Sequence, residues 1–185
     1  NTVSNIRIDG GLINSRRIDN HLFIATQFVP NLEDLPDAGT SNRSLVNLYN
    51  AILAKNSSEL VPKITINGQT SDLYQLTDCL LPQRATEQNG HTQMVSVVKI
   101  DLDNPMNFSS LCLLTEAHGL FASADHLYLH ARGEESTIVH KISLGNEIRY
   151  QATASVVGTL GWQSSAQFRL AERDGKLLAV TTAGA

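Results

Sequence analysis

The chain has 185 residues, 42% of them hydrophobic and 17% charged, a balance that supports one globular domain with a real core and excludes a disordered chain. Eighteen acidic against 14 basic residues leave a net charge of −4, and the basic residues are scattered, which excludes a surface that tracks phosphate backbones. No apolar run approaches the length of a membrane span.

The first residues, NTVSNIRIDGG, carry neither a basic leader nor an apolar stretch, so any signal peptide is expected to lie outside these residues. Ser15 to Gln27 (SRRIDNHLFIATQ) reads as a hairpin, because Asp19-Asn20 tolerates turn conformations between two β-prone runs. From about residue 30 to residue 92 the strand pattern lapses into an insertion. Within it, Arg43 to Lys55 places Leu45, Leu48, Ile52 and Tyr49 at helical spacing on one face, with Ser44 as the expected N-cap. Two short β-prone pieces, Lys63 to Ile66 and Asp72 to Leu76, flank Asn67-Gly68, and the polar stretch Gln83 to Thr92 reads as a loop.

Met94 to Leu102 and Ser109 to Thr115 follow as strands, joined through Asp101, Asp103 and Asn104. That DLDN run opens like a calcium loop, but Pro105 follows and the loop's Gly and final Glu are missing, so a turn is expected. A second hairpin spans Phe121 to Arg132 around Asp125. Thr137 to Leu144 and Glu147 to Ser155 continue it through Gly145-Asn146, and Leu170 to Thr182 forms a third hairpin around Asp174-Gly175. Leu22, Leu127 and Leu177 are equivalent anchors. Leu127 and Leu177 lie 50 residues apart and Leu22 and Leu127 lie 105 apart, which places the insertion in the first unit.

The fold class expected is therefore all-β with one inserted helix: a partial β-propeller of about two four-stranded antiparallel blades and part of a third, ahead of a β-sandwich. The units run 12–117 with the insertion at 30–92, then 119–155, and 165–183 opens the next.

Candidate chemistry is sparse. His126, Tyr128 and His130 alternate along one strand, with His140 read as across the ladder, and the three histidines form a weak divalent-metal candidate against hydrogen-bonded packing. Cys79 and Cys112 either close a loop of about 30 residues as a disulfide or act as two buried hydrophobes. Glu134-Glu135 reads as a solvated turn and Trp162 as a packing aromatic. Ser164-Ser165 lacks a nucleophile elbow, so no catalytic residue is assigned.

The stretches RRIDNHLFIATQFVP, LVPKITING, TDCLLP, VVKIDLDNP and LFASADHLYLHA, in this order, resemble a family of secreted bacterial proteins with C-terminal β-propeller domains, distantly akin to WD repeats. The strongest part is IVHKISLGNEIRYQATASVVGTLG with FRLAERDGKLLAVTT, where Tyr150, Val156, Gly158, Leu160, Phe168, Glu172, Asp174, Gly175, Leu177 and Val180 to Thr182 fall on like residues of the family's motif. Ala154 and Val157 depart from its glycine and proline.

The resemblance implies export to a secreted, periplasmic or cell-surface location and a non-catalytic scaffold or binding role. It also implies a chain that is part of a larger ring, with residues 1–11 the tail of a preceding blade. The partners expected are the remainder of the parent propeller and a protein or glycan ligand, with self-association through exposed edges and no nucleic acid. No cofactor is called for, and calcium or another divalent metal is left open. The alternative is a secreted propeller hydrolase whose axial site is completed by other blades.

Overall fold

The computed structural model describes residues 4–36, 41–81, 93–161 and 166–183. Strand β1 (Ile6–Ile8) precedes a hairpin of β2 (Gly11–Ile18) and β3 (His21–Phe28). The insertion carries helix α1 (Asn42–Leu53), β4 (Lys63–Ile66) and β5 (Gln69–Asp72). Strands β6 (Met94–Asp101) and β7 (Phe108–Leu114) then complete the antiparallel sheet β2-β3-β6-β7. A second four-stranded sheet joins β8 (Gly119–Ala122), β9 (His126–Arg132), β10 (Ser136–Leu144) and β11 (Ile148–Val157) in chain order, and β12 (Leu170–Arg173) pairs with β13 (Lys176–Ala179).

The turns explain the hairpins. Asp19, Asn67 and Asp174 adopt positive φ, as do Gly68 and Gly175, so Asn67-Gly68 and Asp174-Gly175 have the left-handed backbone pair that matches the strands' right-handed twist. The repeat holds at the level of register: Leu22 pairs with Arg17, Leu127 with Ala122 and Leu177 with Glu172, each leucine on the second strand of its sheet. The architecture is thus two four-stranded antiparallel sheets with the opening hairpin of a third, as a partial propeller requires.

The sheets stack face to face, which is why their inner strands lack strict polar alternation. Phe23, Ala25, Val95, Val97 and Leu113 of the first sheet meet Leu120, Leu127, Leu129, Ile142 and Ile148 of the second in one core. Leu160, Ala166 and Leu170, with Phe121, Leu177 and Ala179, fill the space between the second sheet and the third hairpin.

Two expectations need correction, and one element is added: strand β1 pairs with β4 in the sheet β1-β4-β5, which the insertion builds together with the residues ahead of the first hairpin. This sheet packs Val61, Ile64, Ile66, Leu73 and Tyr74 against Met94, Val98, Ile100 and Cys112 on the far face of the first sheet, because that face is as apolar as the one turned to the second. The second piece of the insertion's hairpin lies at Gln69–Asp72 rather than Asp72 to Leu76, since a two-residue turn at Asn67-Gly68 starts the return strand at once. The helix cap is Ser41, whose Oγ accepts the Ser44 amide at 3.1 Å, so Ser44 lies inside the first turn.

The helical face is formed as its spacing predicts, yet no helix residue is buried, and Leu45 and Tyr49 are 48% and 62% exposed. A disulfide joins Cys79 of the insertion to Cys112 of β7, and beside it Leu80 makes both backbone bonds of a parallel bridge to β7. Among the described residues no helix is long and apolar enough to cross a membrane. Gln83 to Thr92, Trp162 and Ser164-Ser165 lie outside the described residues.

Candidate functional site

At one edge of the stack β2, the first strand of its sheet, touches β8, the first strand of the next, and β8 touches the short 3-10 turn Gln167–Arg169 that leads into β12. At this inner edge lies a cleft of ≈ 280 Å³ lined by Ile13, Asn14, His118, Gly119, Leu120, His130 and Gln167. Its residues come from three consecutive sheets or their approaches. The register of β2 against β3 shifts between Leu12 and Asn14, and such a bulge re-aims the side chains around it.

Arg16 organises one wall. Its guanidinium donates to Asn14 Oδ1 at 2.8 Å and to the Ser15 carbonyl at 2.8 Å, and it also bonds Gln167 Oε1. Asn14 Oδ1 accepts the Ser15 amide as well, at 2.8 Å. With both carboxamide oxygens engaged, the Asn14 and Gln167 amide groups are left as donors.

Two histidines form the other wall. His118 Nδ1 accepts the Arg132 amide at 3.2 Å, which puts the proton of the neutral ring on Nε2. His130 is buried, and burial, aided by the neighbouring His118, pushes its pKa down to about 4, so it stands neutral at neutral pH. Gly119 lies directly opposite His130, and the imidazole occupies the space a Cβ there would need. The wall is uncharged at His130, rich in N–H donors and flanked by the apolar Ile13 and Leu120. This arrangement suits a neutral ligand with many acceptors, such as a hydroxylated or carbonyl-bearing chain. Among the described residues lining the cleft, none carries a nucleophilic hydroxyl, a thiol or a carboxylate.

The three candidate histidines are not brought together. His126 faces the third hairpin, where its Nδ1 lies 2.7 Å from Glu172 Oε1, both side chains nearly buried. Burial works to raise the Glu172 pKa, but the nearby Ser123 hydroxyl and the hydrogen bond and charge of His126 outweigh it and hold the carboxylate below its usual range. The Tyr128 hydroxyl lies by the same carboxylate, although neither it nor Glu172 Oε2 has a partner among the described residues that meets hydrogen-bond geometry. Burial and that negative charge push Tyr128 up to about 12.

His140 corrects the expectation that it shares the face of His126 and His130. It pairs with Leu129, and directly paired residues share a face, so it turns toward the first sheet, between Thr115 Oγ1 at 3.1 Å and Thr153 Oγ1 at 2.7 Å. No group of three or more His, Cys, Asp or Glu able to hold a metal occurs among the described residues.

The DLDN run is a turn, with Asp101 Oδ1 accepting the Asp103 amide at 3.0 Å and the Asn20 amide group at 3.1 Å. Glu134 and Glu135 are exposed. Sequence reasoning missed Asn14, Arg16, His118 and Gln167 altogether, because no local spacing relates residues that meet only when sheets stack.

Neither a search of curated proteins nor one of solved structures returns a match. The family model described as Beta propeller domain matches residues 1–185, and with four antiparallel sheets stacked in series beneath that match, the chain belongs to the β-propeller domain family.

Proposed function

We propose that the chain is a non-catalytic binding module of an extracytoplasmic propeller, that the units 12–117, 119–155 and 165–183 act as its successive blades, and that ligand is held at the inner-edge cleft. The observation that carries this reading is Arg16, which ties Asn14 to Gln167 across two sheets and leaves their amide groups as donors. The ligand class is a glycan or an extended peptide, both dense in acceptors and free of net charge along the backbone. The extracytoplasmic setting is supported by the Cys79–Cys112 disulfide, since thiols in the cytosol are kept reduced.

Glycan and peptide arrays probed with the full chain test the reading, followed by titration of R16M and of the N14A/Q167A double variant. Each should weaken binding by about tenfold or more, the equivalent of one or two lost charged or neutral hydrogen bonds. Unchanged affinity in both variants would remove the cleft from the account. Turnover of ester, glycoside or peptide substrates by the full chain would favour the hydrolase alternative instead.

A further inference from the structure

A second cleft, of ≈ 620 Å³, lies away from the inner edge, between the insertion and β7, the outermost strand of the first sheet. One wall is the edge of β7 from Phe108 to Cys112, and the other includes Asp72, Tyr74 and Asp78. The cleft opens where the chain leaves β5, touches β7 through Ser110 Oγ donating to the Leu73 carbonyl at 2.7 Å, and arcs away through the short 3-10 turn Leu76–Asp78. It returns at Leu80, whose amide donates to the Cys112 carbonyl and whose carbonyl accepts the Leu114 amide, both at 2.9 Å.

That single residue reveals the direction of the edge. The Cys112 carbonyl and the Leu114 amide point away from β6, and alternate residues of a strand turn their backbone groups the same way, so the Ser110 amide and carbonyl and the Cys112 amide point outward too. Among the described residues no partner takes up the Ser110 or Cys112 amide. Tyr74 is held against the first sheet by its hydroxyl bond to Ser96 at 2.9 Å, so this side of the cleft is rigid.

We infer that this cleft is a strand-addition site that takes an extended peptide of a partner protein along β7, in line with the seat Leu80 already occupies. The addition places main-chain bonds on the Ser110 and Cys112 groups, the mode by which exposed sheet edges recognise peptides. The side-chain preference is cationic. The lining holds two carboxylates and no lysine or arginine; Asp72 is matched by Lys63, while Asp78 has the Gln75 amide as its hydrogen-bond partner. The site stands on residues other than those of the inner-edge cleft, so failure of one leaves the other untouched.

The experiment titrates acetylated hexapeptide mixtures, one with a fixed lysine and one with a fixed glutamate, into the full chain while amide resonances are followed. The lysine mixture should shift the Ser110 and Cys112 amides and slow their exchange, and the glutamate mixture should not. S110P removes the outward N–H, a change that edge strands tolerate, and should weaken binding by about tenfold. Should S110P fold poorly, a lysine peptide N-methylated at alternate positions supplies the same test from the ligand side and should lose binding to the unaltered chain. Equal binding by S110P, undiminished binding of the N-methylated peptide, or shifts confined to other regions would overturn the inference.

Discussion

Gly119 and His130 form a directly opposed pair on β8 and β9, and the corresponding pair of the first sheet is Asn14 and Ala25. The bulky member has changed strands between the two. A Cβ at Gly119 would lie 2.3 Å from His130 Nε2, and the buried ring has little room to retreat. G119A should therefore cost about 1 to 3 kcal/mol of overpacking, and the double variant G119A/H130A should recover much of it, as read by urea unfolding in a mutant cycle. The same ring makes the fold acid-sensitive. Folded His130 titrates at about 4 against roughly 6.5 in an unfolded chain, so the unfolded state takes up the proton first. Stability should be complete above pH of about 6.5 and fall as the pH drops toward 4, and H130A should flatten that slope in unfolding curves recorded across the window.

At the scale of elements, the third hairpin is held to the second sheet by His126 and Glu172, which reach from β9 to β12. E172Q keeps the shape but weakens a nearly buried charged bond, and should loosen β12 and β13 by about 1 to 3 kcal/mol, seen as faster amide exchange at Leu177 to Ala179 while β3 and β6 are unchanged. Elements were the most legible level of the sequence. Asp19-Asn20, Asn67-Gly68 and Asp174-Gly175 announce hairpins because turn chemistry is local, and Leu45 to Ile52 announces a helix because its periodicity is local. The pairing of Ile6 with Ile66 was invisible, since nothing in either segment specifies a partner so distant in the chain. His140 was misplaced for a related reason: strand alternation gives parity within a strand, but the face shared across a hairpin depends on the turn's length. Asn14, His118 and Gln167 were illegible, because their meeting depends on how three sheets stack.

On the scale of the whole molecule, each sheet touches its neighbours in the stack, so stability should be distributed layer by layer. The interface of the first two sheets is broad, whereas the apolar cluster between the second sheet and the third hairpin has Leu160, Ala166 and Leu170 as its buried members. Native-state hydrogen exchange should find β12 and β13 opening at the lowest free energy and β3, β6 and β9 near the global value; uniform protection would contradict the layered account. The insertion's sheet, clamped by the Cys79–Cys112 disulfide, should lose protection ahead of the first sheet when the bond is reduced.

The third strands of both four-stranded sheets carry a lysine at the same register, beside Phe23 in one and Tyr128 in the other. Lys99 Nζ donates to the Gly145 and Asn146 carbonyls of the second sheet, at 3.0 and 3.1 Å, and Lys141 Nζ donates to the Gly175 carbonyl of the third hairpin at 2.9 Å. The second sheet thus receives a cation from the first and gives one to the third hairpin, so the stack has polarity. The same contact made twice in one direction keeps the layers facing one way, the head-to-tail relation that repeated rotation about an axis generates.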